Sequence, residues 1–217
     1  MSEVTHGSEP HGSEHPFNSP GRPLLIVLSG PSGVGKDAIL TRLKESDYPL
    51  RSITTLTTRA QRAAERNGVD YHFVSMERFQ KMIENGELLE RANVYGNWYG
   101  VPTQAVKQAL NRGEDTIMKL DVQGATTIKK IVPQAVFIFV APPSMEELAM
   151  RLRQRYTDSP ADIDLRLKMA EEEKKQLPLF DYVVVNKWGE IDLVVSEIKA
   201  IITAEKCRVT PREITLS

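Results

Sequence analysis

The chain has 217 residues, of which 41% are hydrophobic and 26% are charged, and its formal net charge is -1. This length and composition are those of a single globular domain, or of a core domain with small inserted lobes. The near-zero net charge disfavours a dedicated nucleic-acid binder, which usually carries a basic excess, so we expect no nucleic-acid partner.

No apolar run approaches the roughly 18 residues of a membrane span, and the N-terminus lacks the apolar region of a signal peptide. The single cysteine, Cys207, cannot form an internal disulfide, which fits a reducing compartment. We therefore predict a cytoplasmic protein without a membrane partner.

Residues 1–22 are polar and rich in Gly, Ser, Glu, His and Pro. Three histidines (His6, His11 and His15) lie here, so metal binding by this segment is one interpretation. The composition is more typical of a disordered tail, and that is our prediction.

From Leu24 onward, apolar runs alternate with segments of helical periodicity. The predicted strands are 24–29, 115–122, 135–141 and 182–186. The predicted helices are 37–45, 103–112, 123–131, 144–155, 160–176 and 190–204, with a capping box formed by Ser144 and Glu147. This alternation predicts an α/β fold with a parallel sheet covered by helices on both faces.

Two segments interrupt the alternation. Residues 51–101 combine short β-like pieces with one short helix, which predicts an inserted α+β lobe. Residues 151–167 are rich in arginine and break between two helices, which predicts a lid. The predicted domain is therefore 23–207, with a core of 23–50, 102–150 and 168–207, and residues 208–217 form a C-terminal tail.

A phosphate-binding loop follows the first predicted strand directly, with the sequence "GPSGVGKD". It matches the pattern G-x-x-x-x-G-K-[ST] except at its last position. Glycines let backbone N–H groups turn towards a phosphate, the lysine neutralises charge, and the following helix adds its dipole. The predicted phosphate-binding residues are Gly30, Pro31, Ser32, Gly33, Val34, Gly35, Lys36 and Asp37.

Asp37 stands where Ser or Thr is expected. A bare carboxylate repels a triphosphate by about 4 kcal/mol per charge pair at 4 Å and an effective dielectric constant of 20. The same carboxylate is a good ligand for Mg²⁺, and the bound metal turns the repulsion into attraction. We therefore predict that Asp37 binds Mg²⁺, directly or through water.

Several longer segments carry a family resemblance. They are "SITTLTTRAQRAAERNGVDYHFVS" (52–75), "GELLERANVYGNWYGVP" (86–102), "LDVQGA" (120–125), "APPSMEELAMRLRQRYTDS" (141–159) and "DYVVVN" (181–186). Over about residues 24–205, in unbroken order, the chain resembles the guanylate kinase family. The resemblance implies a P-loop NTPase core, an inserted GMP-binding lobe, a helical lid, and ATP and GMP as small-molecule substrates.

The resemblance also implies an acceptor site for GMP. In it, Arg59 and Arg62 hold the phosphate with their guanidinium forks, and Glu90 accepts hydrogen bonds from guanine N1–H and the 2-amino group. Adenine lacks both donors and would leave this carboxylate unpaired. The implied GMP-binding residues are Thr55, Arg59, Arg62, Tyr71, Glu90, Tyr99 and Asp121.

The lid arginines Arg151, Arg155 and Arg166 match the charge-stabilising set of the family and, with Lys36, are the implied catalytic residues. Asn186 matches a family position near the ATP. The protein is expected to be a monomer or a homodimer.

Four positions depart from the family pattern. Asp37 replaces the Ser or Thr of the loop, and Lys119 replaces a residue that is usually acidic. Val101 replaces a Ser or Thr that usually contacts guanine, and Tyr156 replaces a glycine of the lid. Because the changes at 37 and 119 conserve local charge, we predict that these two side chains lie close together. Val101 is expected to weaken guanine binding by about 0.5–1.5 kcal/mol.

The predicted activity is Mg²⁺-dependent transfer of a phosphoryl group from ATP to GMP, giving ADP and GDP. One alternative is a related kinase for a ribose bisphosphate, which shares "GKD" and "YGV". Kinases of that group would have no need of Glu90. Another alternative is a retired phospho-ligand binding module, which would not need Lys36 or the lid arginines.

Overall fold

The structure is a computed structural model that describes residues 22–94, 96–154 and 159–216. The expectations for the tail 1–21, for Arg155 and for Tyr156 fall outside the described residues.

The elements alternate along the chain as expected. The strands are β1 (Leu25–Ser29), β2 (Arg51–Ser52), β3 (Leu56–Thr57), β4 (His72–Phe73), β5 (Leu88–Val94), β6 (Asn97–Pro102), β7 (Thr116–Lys119), β8 (Val136–Ala141) and β9 (Tyr182–Val185). The helices are α1 (Lys36–Glu45), α2 (Met76–Glu84), α3 (Thr103–Asn111), α4 (Val122–Ile131), α5 (Met145–Arg153), α6 (Pro160–Lys174) and α7 (Ile191–Lys206), with a 3-10 turn at Leu177–Leu179.

The core sheet is parallel, with the strand order β2-β7-β1-β8-β9. All five side chains of β1 are buried because helices cover both faces of the sheet, so the predicted α/β class is confirmed. One face packs against α1 and α7, and the other packs against α3 and α4. The carboxyl ends of β7, β1 and β8 thereby meet at one edge, where open α/β sheets bind ligands.

A second sheet, with the order β4-β3-β6-β5, lies within residues 51–101. Its β3 and β4 are parallel, whereas β6 runs antiparallel to both β3 and β5. Phe79 of α2 is fully buried beneath it. The two residues of β2 belong instead to the core sheet, because Arg51 and Ser52 pair with β7. Two residues are too few to show the alternation of apolar and polar side chains that marks a strand. The sequence therefore did not distinguish β2 from the short β-like pieces of the lobe.

The predicted capping box at α5 is only half correct. Ser144 caps the helix by accepting from the backbone N–H of Glu147 at 3.2 Å. The carboxylate of Glu147 binds the guanidinium of Arg151 one turn further on, because that charged partner lies at i+4. A full capping box occurs at α6, between Ser159 and Asp162.

Residues after α7 pack on the domain. Ile214 and Leu216 lie against the core cluster of α3 and α4. Arg212 binds the buried carboxylate of Glu205, with N–O distances of 2.8 and 2.7 Å. The residues that the prediction assigned to a C-terminal tail therefore contribute, through position 216, to the packed structure.

None of the helices in the described ranges is both long enough and apolar enough to span a membrane.

Candidate active site

An open cavity lies between the carboxyl edge of the core sheet and the second sheet, with an empty volume of about 1110 Å³. The chain's charged motifs converge on it. Its lining includes Gly30, Pro31, Ser32, Gly33, Gly35, Lys36, Asp37, Thr55, Arg59, Arg62, Tyr71, Glu90, Val94, Asn97, Tyr99, Gly100, Lys119, Leu120, Asp121, Arg166 and Glu173.

The loop Gly30–Asp37 connects β1 to α1, and close approaches fix its conformation. Gly30 has φ 138°, and a Cβ there would lie 2.2 Å from the carbonyl oxygen of Val140. Gly35 has φ 99°, and a Cβ there would lie 2.5 Å from the amide nitrogen of Asn186. Both positions therefore require glycine.

Lys36 folds back over the loop, where its ammonium donates to the carbonyl oxygens of Gly30 and, at 3.0 Å, Pro31. Burial lowers the pKa of Lys36, and the nearby carboxylates of Glu173, Asp37 and Asp121 oppose this shift. The amine lies where it can reach an anion seated in the loop.

Two arginines lie over the loop. Arg151 donates to the carbonyl oxygens of Val34 (3.2 Å) and Asn186 (2.7 Å), and the Asn186 amide donates to Val34 at 2.8 Å. Arg166 of α6 donates to the hydroxyl of Ser32 at 2.6 Å. The structure thus brings Arg151, Arg166 and Asn186 to the loop, which agrees with the positions that the family resemblance implied.

The second sheet presents a cluster of arginine and tyrosine. Arg59 lies 5.6 Å from the centroid of the Tyr71 ring, and Tyr71 packs edge-on against Tyr99 at 5.9 Å. Glu65 binds Arg59 at 2.7 Å, accepts from the backbone N–H of Arg62 at 2.9 Å and thereby ties the two arginines together. This cluster presents two guanidinium groups and two phenol groups to the cavity, a set suited to a phosphate.

Glu90 lies on β5 and lines the cavity. Its side chain is only 3% exposed, and its Oε1 has no hydrogen-bond partner within the described part of the chain. Burial, and then the charge of Asp121, raises the pKa of Glu90 to about 8. A buried acceptor without a donor is costly, so the site is built to receive a ligand N–H.

Asp121 lies two residues after the end of β7 and caps α4, accepting from the backbone N–H of Gly124 at 2.9 Å. Burial raises the pKa of Asp121, while the Gly124 hydrogen bond and the charge of Lys36 oppose that shift. Its position between Glu90 and the loop follows from the pairing of β7 with β1.

Asp37 and Lys119 are in direct contact, which confirms their predicted proximity. Burial would lower the pKa of Lys119, but the charge of Asp37 and the Tyr71 phenol reverse the effect and raise it. The contact is possible because β7 pairs with β1, with Lys119 opposite Leu28, and the loop that follows β1 leads to Asp37 in the first turn of α1.

Sequence reasoning missed two acidic residues of the site. Glu173 lines the cavity, and burial raises its pKa to about 6 in spite of Lys36. It is one of three consecutive glutamates, and the only available signal was its helical spacing of seven from Arg166. Glu65 stands in a polar stretch without periodicity and carried no signal.

The departure at Val101 has a different structural setting from the one expected. Val101 is fully buried in the core cluster of α3 and α4. It is not among the described residues that line the cavity, where its neighbour Gly100 is found. Because the side chain at position 101 is buried in the core and is not part of the described lining, the structure gives no support for the expected loss of a guanine contact there.

The parallel sheet, the glycine loop at the end of β1 and the helix that follows it define a P-loop NTPase fold. A sequence model of the family described as guanylate kinase matches residues 22–205. The chain belongs to the guanylate kinase family.

Individual relatives agree with this assignment. A guanylate kinase of Desulfitobacterium hafniense is 47% identical over 186 residues, which cover 86% of this chain and 92% of the relative. "Guanylate kinase 2, chloroplastic/mitochondrial" of Oryza sativa subsp. japonica is 42% identical over 205 residues, or 94% of this chain and 72% of the relative. A crystal structure of guanylate kinase from Anaplasma phagocytophilum matches with a TM-score of 0.73 at 33% identity, covering 87% of this chain and 89% of that one.

Proposed function

We propose that this chain is a nucleoside monophosphate kinase that transfers a phosphoryl group from ATP to GMP. The observation that carries the proposal is the buried Oε1 of Glu90, which has no hydrogen-bond partner among the described residues and lies in the same cavity as a phosphate loop. Guanine offers this carboxylate two N–H donors on one edge, whereas adenine offers neither in that arrangement. The cavity therefore has one end for a guanine base and one end for a triphosphate.

The residues divide between the two substrates. Lys36 and the loop N–H groups bind the phosphates of ATP, and Arg151 and Arg166 spread positive charge over the group in transit, aided by Arg155. The phosphate of GMP binds to Arg59, Arg62, Tyr71 and Tyr99. Further contacts come from Thr55 and Asp121 on the acceptor side and from Asn186 on the donor side.

Mg²⁺ fits this donor set. The Asp37 carboxylate lies at the first turn of α1, and its side chain is 69% exposed to the cavity and solvent. The described residues hold no group of three or more His, Cys, Asp or Glu that could bind a metal alone. Mg²⁺ commonly takes one or two carboxylates, with phosphate and water as its other ligands, so Asp37 would hold it beside the ATP. The metal would neutralise phosphate charge.

Other parts of the prediction stay proposals. They are the division into core, acceptor lobe 51–101 and lid 151–167, the cytoplasmic location, and the monomeric or homodimeric state. The two alternative functions lack support from the geometry, because a ribose bisphosphate has no donor for Glu90 and a binding module needs no lysine in the loop.

The test is ADP formation from ATP with GMP, AMP, CMP, UMP or ribose 1,5-bisphosphate, with and without Mg²⁺. We expect turnover with GMP alone and only with Mg²⁺. Glu90→Gln should lower kcat/KM for GMP by about 100-fold, because the amide presents an N–H to a guanine donor. The matched control is Glu84→Gln on the exposed face of α2, which should leave the rate unchanged. Turnover with the bisphosphate, or none despite tight GMP binding, would refute the proposal.

A further inference from the structure

Lys119 is a nearly buried cation in the lining of the cavity. It is the last residue of β7, and its side chain is only 11% exposed. Its ammonium contacts the carboxylate of Asp37 and lies 4.0 Å from the centroid of the Tyr71 ring. A lysine so enclosed needs favourable partners, and both of these belong to the walls of the cavity.

The position of this ammonium relates it to the acceptor cluster. The ring of Tyr71 has the guanidinium of Arg59 at 5.6 Å and the ammonium of Lys119 at 4.0 Å from its centroid. Lys119 is therefore a second cation beside the tyrosine that is proposed to bind the GMP phosphate. It also lies close enough to Lys36 for its charge to lower the pKa of that residue.

The chemistry of the pair favours exchange of partners. In the cavity as it stands, the single negative charge of Asp37 neutralises the ammonium. A nucleoside monophosphate carries nearly two negative charges near pH 7 and offers three oxygens, so it attracts the same ammonium more strongly than one carboxylate does. An ammonium has three donors, and it can turn to the phosphate on its flexible stem.

We propose that Lys119 is a further phosphate-binding residue of the acceptor site, where it contacts the phosphate of the bound nucleoside monophosphate. This inference rests on the proposed function, because it takes GMP as the acceptor. It gives a role to a position at which the resembled family usually has an acidic residue.

The test compares the binding of GMP and guanosine to the full chain, without ATP or added metal. Lys119→Met keeps the length of the side chain and removes its charge. We expect it to weaken GMP binding by about 10- to 100-fold, the value of a lost charge-assisted hydrogen bond, and to change guanosine binding by less than about 2-fold. Lys119→Arg keeps a cation and should recover most of the loss.

Lys129 supplies a matched control. Its ammonium also pairs with an aspartate, Asp181 at 3.1 Å, and lies 4.3 Å from the centroid of an aromatic ring, Phe137. It does not belong to the lining of the cavity, so Lys129→Met should leave GMP binding unchanged.

Three outcomes would overturn the inference: unchanged GMP binding by Lys119→Met, an equal loss for guanosine, or an equal loss in Lys129→Met. The equal loss for guanosine would mean that Lys119 supports the shape of the pocket. Failure of the proposed function is a separate result, because wild-type protein could bind GMP through Lys119 without phosphorylating it.

Discussion

The carboxylate of Glu65 lies 2.7 Å from the guanidinium of Arg59, and these side chains are only 17% and 15% exposed. The burial of both partners sets this pair apart from the surface ion pairs of the second sheet. Because Glu65 also accepts from the backbone N–H of Arg62, it fixes the segment that carries both arginines. With Arg59 and Arg62 as the proposed ligands of the acceptor phosphate, we expect Glu65 to act on it only through them, as a positioning residue.

We expect Glu65→Gln to raise KM for GMP by about 10-fold and to change KM for ATP by less than about 2-fold, because a misplaced Arg59 affects one substrate. Steady-state kinetics with each substrate varied in turn measure the two values. Glu87→Gln is the control, since Glu87 meets Arg78 at 3.8 Å on an exposed surface. An equal rise in both KM values would show a general loss of structure instead.

Glu90 gives a prediction for stability against pH. Its pKa is raised from 4.5 to about 8 in the folded protein, so between these values the folded state holds a proton that the unfolded state has lost. The free energy of unfolding therefore falls as the pH rises through this window. Glu90→Gln removes the titration and should stabilise the protein, by an amount that grows from pH 5 to pH 8 and reaches the order of 3 kcal/mol.

Denaturant unfolding of wild type and Glu90→Gln at several pH values measures this difference. Glu84→Gln should show no such trend, because Glu84 is exposed. A constant difference across the pH range would mean that Glu90 ionises normally in the folded state.

We expect the same carboxyl group to couple guanine binding to the release of a proton. Hydrogen bonds from guanine would favour the ionised form of Glu90, so we expect the bound complex to have a lower Glu90 pKa than the empty cavity. GMP binding near pH 7 should then release up to about one proton, and GMP affinity should rise roughly 10-fold per pH unit as the pH approaches 8. Calorimetry in two buffers of different ionisation enthalpy measures the proton. Glu90→Gln should release none from this site, and equal release from both proteins would contradict the assignment.

Much of the fold could be predicted because its signals are local. Continuous apolar runs such as β1 mark strands that are buried on both faces, and the loop after it has a fixed spacing. The contact between Asp37 and Lys119 was predictable because two departures with opposite charge compensated each other. Glu65 and Glu173 were not predictable, since which acid of a polar stretch points inward depends on packing from distant elements. β2 was assigned to the wrong sheet because its only evidence is hydrogen bonding to β7.

The buried carboxylate of Glu205 is the basis of a prediction about the C-terminal residues. It is 1% exposed, binds Arg212 through both oxygens and accepts from the hydroxyl of Tyr182 at 2.7 Å. The hydrogen bonds from Arg212 hold the pKa of Glu205 below its usual range, so their contribution is present at neutral pH and is lost as the pH falls through the folded pKa. Arg212→Met should lower the free energy of unfolding by about 3 kcal/mol at pH 7, since it leaves a buried charge without its main partner.

Arg208 offers a control with the same carboxylate. It meets Glu205 at 3.6 Å, but its side chain is 49% exposed. Arg208→Met should therefore cost less than about 1 kcal/mol in the same unfolding experiment. An equal loss of unfolding free energy in the two variants would show that the paired hydrogen bonds of the Arg212 guanidinium add nothing beyond its charge.

The first described residue of the chain contacts two residues close to the end of the described structure. The guanidinium of Arg22 pairs with Glu213, and Lys206 donates to the carbonyl oxygen of Arg22 at 3.0 Å. In a chain shortened to residues 22–216, positions this close can be joined by a short linker, and the chain can then be reopened at an exposed turn such as that around Gly113. The cavity is lined by residues between Gly30 and Glu173, so an opening near Gly113 would divide the lining residues into two groups. A circularly permuted protein would thus carry the phosphate loop and Glu90 together in the second half of its sequence and Asp121 and Arg166 in the first half, while all of them line one cavity.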